Sequence, residues 1–287
     1  MSLWKRSNRA TLMLLFALGM GTLRYAQAIS AVQAAPASQA VQEPQLSEEE
    51  MRNFLLTAKI TKDKSTAKGI TGVRRLTLGD GKITHDAAFQ AIDETKSRME
   101  LGTGRVEMNF RDSYKYDIAA YELAKLVGLG DMMPVTVSRK YQGKEGAFSW
   151  WLPVKLDEAQ RLQKKITPPD PEAWNKQIHK MRVFAQLVYD TDRNLGNVLI
   201  SENWHLWMID FSRAFRLYRE LENPKNLERC DRVLLERLRQ LDAAEVKAKT
   251  RAYLTQMEIN GIMARRDVII NLFEKFIKEK GEAQVLY

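Results

Sequence analysis

The sequence predicts an α+β fold in which a strand-rich lobe precedes a helix-rich lobe. Short apolar stretches bounded by turn residues dominate the region from about 52 to 110. After Pro168 and Pro169, apolar residues recur with a helical period instead. The chain has 287 residues, of which 45% are hydrophobic and 28% charged, so it can form one large domain or two lobes with a sizeable core.

The N-terminal segment has the pattern of a bacterial secretory signal. Residues 1–9 contain three basic side chains and no acid, residues 10–23 are mostly apolar, and Ala26-Gln27-Ala28 forms a small-residue cleavage site. The apolar run is shorter than the ~20 residues of a spanning helix. We therefore expect export with removal of residues 1–28. The alternative is an uncleaved anchor in the inner membrane through residues 10–23.

The composition excludes several classes of site. Residues 1–28 carry four basic residues and no acid, so the formal charge of +9 falls to +5 without them. This mild excess does not predict nucleic-acid binding, and it suits an anionic ligand such as a nucleotide. The single cysteine, Cys230, excludes an intramolecular disulfide framework, and the three scattered histidines show no metal-ligand spacing.

The strand-rich lobe is predicted to span residues 47–156, after a flexible spacer at 29–46. Ser47 and Glu50 have the spacing of a helix capping box. A polar loop is expected at 61–72, and Gly79-Asp80-Gly81-Lys82 supplies a hairpin turn. Strands are expected at 54–60, 73–78, 84–93, 105–110, 134–141 and 147–156.

One helix interrupts these strands, and the rest are collected in the second lobe at 157–287. The helix at 112–130 begins with Asp112 or Ser113 as its cap. Asp170 caps a helix that extends to about residue 190. Three further helical patterns follow at 226–241, 243–256 and 265–281.

Residues 190–213, DTDRNLGNVLISENWHLWMIDFSR, carry the chemistry-bearing pattern. Asn197 follows Asp192 by five residues, and Asp210 follows Asn197 by thirteen. The apolar runs at 198–200 and 205–209 can pair as a hairpin, which would return Asp210 to the neighbourhood of Asn197. Two oxygen ligands would then converge on one hard cation, as Mg²⁺ or Mn²⁺ prefers.

The loop 192–197 resembles the D-R-x-x-x-N loop of phosphatidylinositol 3-/4-kinases and HipA-like kinases. Residues 192–215 resemble still more the secreted Fam20-type, Golgi casein kinase-like family, as do the helix at 117–123 and the hairpin at 76–92. The likeness covers about residues 70–215. It implies a two-lobed protein-kinase-like fold that transfers phosphate from ATP, with Mg or Mn, to a hydroxyl of a protein, glycan or small molecule.

The resemblance also implies residue roles. Asp192 would be the catalytic base or would orient the acceptor hydroxyl, and Asn197 and Asp210 would bind the metal. The residues implied for the nucleotide are Lys68 over the phosphates, Arg213 near them, Gln90 at the anchoring position on the strand, and Asp117 where the family's helix has a glutamate.

Gln90 and Asp117 depart from the family pattern. Gln90 stands where an ATP-anchoring lysine belongs, and a neutral amide cannot neutralise phosphate charge. Asp117 is one methylene shorter than glutamate. Either another cation (Lys82, Lys96 or Lys115) reaches the site, or catalysis is weak, or the chain is a pseudokinase-like module that binds a nucleotide or a partner in the envelope. A structural envelope protein with a coincidental motif is a third reading.

Trp150 and Trp151 alternate across a predicted strand, so we expect one of them in the core. The other is a candidate to face an adenine ring.

Overall fold

A computed structural model of the chain describes residues 46–65, 72–100, 104 and 106–287. The predicted signal segment, the spacer up to residue 45 and Lys68 lie outside them. Within the described part, no helix is both long and apolar enough to cross a membrane.

The chain enters the first lobe through a helix and an edge strand. The predicted capping box is confirmed, since Ser47 and Glu50 cap each other at the start of helix α1 (Glu48–Thr57). The strand predicted at 54–60 is wrong, because Phe54 and Leu55 are buried on this helix. Strand β1 (Lys59–Ser65) instead takes up residues 61–65 of the predicted polar loop. As an edge strand it needs no apolar alternation, and its lysines suit an open edge.

A five-stranded antiparallel sheet forms the body of the first lobe, in the order β1-β2-β3-β7-β6. The predicted turn joins the second and third strands. Gln90, the last residue of the third strand, pairs with Ala147 on the seventh. The bounds are β2 (Arg74–Gly79), β3 (Thr84–Gln90), β6 (Thr136–Tyr141) and β7 (Lys144–Trp150).

A separate hairpin of β4 (Asp93–Glu100) and β5 (Val106–Ser113) leads into helix α2 (Tyr114–Leu126). The prediction found β5 and α2 but missed β4, whose side chains are almost all exposed. Ser113, not Asp112, caps α2. The backbone N–H of Ser113 also donates to the carbonyl of Ser212, which ties the hairpin to the second lobe.

The second lobe is mostly helical, with a small sheet at its top. Its strands are ordered β10-β9-β8, and the predicted lobe boundary at 156/157 falls within β8. The last long helix begins at Gln256 rather than at residue 265. The elements are β8 (Leu156–Asp157), α3 (Glu158–Gln163), α4 (Pro171–Val188), β9 (Val198–Ile200), β10 (Leu206–Met208), α5 (Arg232–Gln240), α6 (Ala243–Thr250), α7 (Gln256–Lys280) and α8 (Glu282–Val285).

Arg265 on α7 holds residues 216–218 in place through hydrogen bonds. Its side chain is fully buried, and it donates to the carbonyls of Leu187 and Arg216 at 2.8 and 2.9 Å and to that of Tyr218. Burial lowers the pKa of Arg265 to about 10. A Cβ at Gly261 would lie 3.0 Å from the Arg265 Nη1 atom, so the absence of a side chain there gives the guanidinium room.

Candidate functional site

A cleft of about 740 Å³ lies between the five-stranded sheet and the small sheet of the second lobe. Strands β3 and β7 and the segment 151–155 supply about half of its apolar wall. Four polar side chains named by the sequence pattern or the family resemblance line this one cleft: Gln90, Asp117, Asn197 and Asp210. The fold therefore brings together residues that are up to 120 positions apart in the chain.

The predicted hairpin forms and places Asp210 beside Asn197. Residues Val198–Ile200 pair with Leu206–Met208, and the N–H of Ile209 donates to the carbonyl of Asn197 at 3.2 Å. Asp210 follows at once with φ of +57°, in the left-handed region. Such backbone strain in a non-glycine residue is characteristic of functional sites.

Arg193 stabilises this arrangement through an ion pair and three hydrogen bonds to backbone carbonyls. Its guanidinium binds the Asp190 carboxylate at 2.5 Å, with the two side chains 10% and 0% exposed. It also donates to the carbonyls of Asn197, Ile209 and Asp210 at 3.0, 2.8 and 3.1 Å. One arginine thus joins the loop at 190–197 to the segment that carries Asp210.

Asp117 projects from the first turn of α2 into the cleft. Its Oδ1 accepts a hydrogen bond from the N–H of Phe211 at 2.7 Å, and its Oδ2 is buried with no partner among the described residues. Burial, and then the charge of Asp210, raise the pKa of Asp117 well above its usual range. Burial also raises the pKa of Asp210, although the Ser212 hydroxyl donates to it at 3.0 Å and opposes the shift.

We expect Asp117→Asn to stabilise the metal-free protein at neutral pH. Between the unfolded and folded pKa values of Asp117, the folded chain binds more protons there than the unfolded chain does, so the free energy of unfolding falls as the pH rises. The neutral variant lacks this loss. Its advantage in urea unfolding with chelator present should be absent below about pH 3.8 and grow towards neutrality. An advantage that is equal at all pH values would contradict a buried carboxyl with a raised pKa.

Asp192, the implied catalytic base, does not line the cleft, and its side chain is 39% exposed. The Arg213 Nη1 atom lies 3.1 Å from the Asp192 Oδ2 atom. Arg213 does not line the cleft, although the resemblance implied a place near the phosphates. The arginine contacts the implied base instead.

The three lysines considered as replacements for the missing one at Gln90 all lie outside the cleft. The Gln90 side chain is buried, and its Nε2 has no partner in the described part of the chain. Lys96 and Lys115 form ion pairs with Glu94 and Asp93 on the β4–β5 hairpin, at 2.9 and 2.8 Å. Neither they nor Lys82 line the cleft.

Lys155 is a cleft residue that the sequence reasoning missed. Among the described residues, it is the one cationic side chain that lines the cleft, and its Nζ lies 3.2 Å from the Glu202 Oε2. It lies near the end of the strand predicted at 147–156, which in the structure ends at Trp150, and neither the sequence pattern nor the family resemblance gave it a role.

Two buried acids on β5 were also missed. Asp112, considered only as a helix cap, is buried with Oδ1 unpartnered among the described atoms, and burial raises its pKa. Glu107 is buried against Arg213 and Arg216. The sequence alternation did not reveal them, because Val106 and Met108 are exposed while Glu107 between them is buried.

Both tryptophans line the cleft, so neither is wholly a core residue. The Trp150 ring stacks on His85 at 3.8 Å and meets Phe54 edge-on. The Trp151 ring lies under the Arg75 guanidinium at 4.3 Å. Their backbone passes between the lobes, where a planar base could enter the apolar part of the cleft.

The donor set fits a divalent cation shared with phosphate groups. Across the described residues there is no group of three or more His, Cys, Asp or Glu side chains that could hold a metal alone. Mg²⁺ typically takes one or two carboxylates and completes its shell with water and substrate phosphates. Asn197 and Asp210, with the unpartnered Asp117 Oδ2 in the same cleft, suit that mode.

Comparison with solved structures identifies the fold. A Fam20 protein of hydra, solved with sugar, superposes with a TM-score of 0.65 at 16% identity, over 83% of this chain and 91% of that one. The Golgi casein kinase gives 0.62 at 13% identity, over 83% and 77%. Its form with manganese and ADP gives 0.59 at 11% identity, over 83% and 78%.

No protein-family description and no curated protein sequence matches the chain. The superpositions nevertheless show that the chain has a Fam20-like atypical kinase fold, which confirms the predicted two-lobed α+β architecture. At these identities the likeness establishes the fold and not the activity.

Proposed function

We propose that the chain is a metal-dependent phosphotransferase that moves the terminal phosphate of ATP to a hydroxyl acceptor. The observation that carries the proposal is the convergence of Asn197, Asp210 and Asp117 in one cleft with an apolar wall. The Fam20-like fold and the manganese and ADP bound to the Golgi casein kinase support this reading. In line with the N-terminal pattern, we propose that the protein acts outside the cytoplasm.

The chain's own residues divide the work. The cleft wall near Trp150 would contact the adenine ring of ATP. Asn197 and Asp210 would hold Mg²⁺ or Mn²⁺ beside the phosphates. The ion, when bound, would neutralise charge on the transferring group. Asp192 would accept the proton of the acceptor hydroxyl and orient its oxygen for attack. The acceptor would be a hydroxyl of a protein, glycan or small molecule.

The second candidate is a nucleotide- or partner-binding module with little or no transfer. Gln90 favours it, because a buried neutral amide occupies the position of the phosphate-anchoring lysine. The phosphotransferase and a nucleotide-binding module both place ATP in the same cleft, so a binding measurement alone cannot separate these two. They differ in whether Asp192 acts as a catalytic base.

Asp192→Asn should lower kcat for Mn²⁺-dependent ATP hydrolysis or autophosphorylation by about 10² to 10⁴. The shift in Tm caused by ATP and metal should persist, since Asp192 does not line the cleft. Asp267→Asn is the matched control, because Asp267 is another exposed acid paired with an arginine, at 2.6 Å on α7, and its loss should change neither value.

The outcomes separate the candidates. Transfer by the wild type that depends on Asp192 supports the phosphotransferase. A Tm shift without transfer supports the binding module. If ATP with either metal neither shifts Tm nor loses phosphate, the phosphotransferase and the nucleotide-binding module both fail, and of the second candidate only partner binding is left.

A further inference from the structure

Glu107 on β5 lies beside two arginines of the segment that follows Asp210. Its side chain is 9% exposed, and its Oε1 accepts from Arg216 Nε at 2.6 Å. Its Oε2 lies 3.6 Å from Arg213 Nη2, beyond hydrogen-bond length, and accepts no hydrogen bond among the described residues. The buried carboxylate therefore binds Arg216 directly and attracts the Arg213 guanidinium through its charge.

Arg213 therefore lies close to two acids, Asp192 and Glu107. Arg213 Nη1 donates to the Asp192 Oδ2 at 3.1 Å, while Nη2 is turned towards Glu107. The guanidinium also lies over the Phe110 ring at 5.1 Å. A guanidinium can bind a carboxylate through two parallel N–H groups, but here it grips Asp192 through one.

This single contact leaves the other oxygen of Asp192 accessible. Within the described part of the chain, the Oδ1 accepts only from the Asn194 side-chain amide, at a long 3.3 Å, and Asn194 itself is exposed. A general base needs such an oxygen within hydrogen-bond reach of the acceptor hydroxyl. If two N–H groups of Arg213 bound both oxygens of Asp192, the Oδ1 would no longer be available to the acceptor hydroxyl.

We infer that Glu107 is a positioning residue that keeps Arg213 from closing over Asp192. The inference rests on the proposed function, because it concerns how the base of that reaction stays available. Without the negative charge of Glu107, Asp192 is the one acid left in contact with Arg213 among the described residues, so both prongs turn to it. Glu107 thus acts on the reaction through Arg213 and not by touching substrate.

Glu107→Gln tests the inference, because the amide oxygen still accepts from Arg216 while the charge is lost. We expect kcat for Mn²⁺-dependent ATP hydrolysis to fall by about tenfold, with KM for ATP changed by less than about twofold. The same substitution made in Arg213→Gln should change kcat by less than about twofold, since no guanidinium remains to close. Glu100→Gln, which removes an exposed acid from the same hairpin, is the control.

A role in packing alone would lower kcat equally in both backgrounds, and that result overturns the inference. Failure of the proposed function is distinguishable: the wild type then hydrolyses no ATP, and Tm supplies the test. Asp192→Asn should lower Tm more in Glu107→Gln than in the wild type, because the contact it removes is then two-pronged. The extra decrease should vanish when Arg213→Gln is added. Equal decreases in all three backgrounds overturn the inference without any assay of activity.

Discussion

Asp210→Asn is expected to abolish the stabilisation of the protein by ATP and divalent metal without destabilising the free protein. A ligand present at one hundred times its Kd adds about 2.7 kcal/mol to stability, or about 5 to 10 °C in Tm for a domain of this size. The variant should lose this shift because one of the two predicted metal ligands becomes a weaker one. The wild-type shift should in turn require Mg²⁺ or Mn²⁺.

The substitution is chosen to keep the backbone intact. Asp210 has φ of +57°, and asparagine tolerates that region far better than alanine does. Since burial raises the pKa of Asp210, its charge is disfavoured in the metal-free fold, and the neutral variant should melt no lower than the wild type. Differential scanning fluorimetry with and without chelator measures both quantities. Asp131→Asn, at an exposed acid outside the cleft, should leave the shift unchanged, and a shift retained by Asp210→Asn would remove Asp210 from the metal site.

Local signals were sufficient to predict the part of the site that one continuous stretch supplies. The apolar runs at 198–200 and 205–209 have only one short connection, so a hairpin is the one compact solution, and it necessarily returns Asp210 to Asn197. The turn at Gly79–Lys82 and the capping box of Ser47 and Glu50 are local in the same way. Residues within a few positions of one another determine these features, and the sequence shows them directly.

The elements that were mispredicted depend on their neighbours instead. Phe54-Leu55 reads equally as a strand or as one turn of a helix, and the decision comes from the cap seven residues before it and from burial against the sheet. Strand β4 has no apolar face because almost nothing covers it. Its strand conformation is imposed by pairing with β5, which a pattern confined to residues 93–100 does not contain.

The electrostatic state of the site was equally beyond local patterns. Asp117 and Gln90, which the family resemblance implied for the nucleotide, both line the cleft, and each keeps a buried polar atom unpartnered among the described residues. Lys155 and Glu107 come from stretches without a motif and reach the site only through tertiary packing. Which charges meet inside a cleft is a property of the assembled fold.

Arg193→Gln is expected to destabilise the protein by about 3 to 5 kcal/mol, the usual cost of breaking a buried ion pair from one side. The Asp190 carboxylate is fully buried and would lose its only charged partner among the described contacts. The carbonyls of Asn197, Ile209 and Asp210 would lose their donor as well. Urea unfolding followed by tryptophan fluorescence measures the change, provided that the m-value stays constant.

The matched control is Arg239→Gln, because Arg239 forms exposed pairs with Glu236 and Glu274 and should cost no more than about 1 kcal/mol. The double variant Asp190→Asn/Arg193→Gln separates charge from geometry. Once the buried acid is also neutral, no uncompensated charge remains, so the double variant should be more stable than the sum of the two single changes implies. Additive costs, or an Arg193→Gln cost similar to that of the control, would show that the pair does not act as a unit.

The same variants decide whether Arg193 serves stability alone or also the site. The double variant relieves the buried charge but does not restore the donors to the three carbonyls that hold Asn197 and Asp210 together. If those hydrogen bonds define the distance between the two predicted metal ligands, the double variant should recover much of its stability and still show no Tm shift with ATP and metal. Recovery of the shift together with stability would mean that the hairpin alone positions the ligands, and that the arginine of the D-R-x-x-x-N loop only neutralises Asp190.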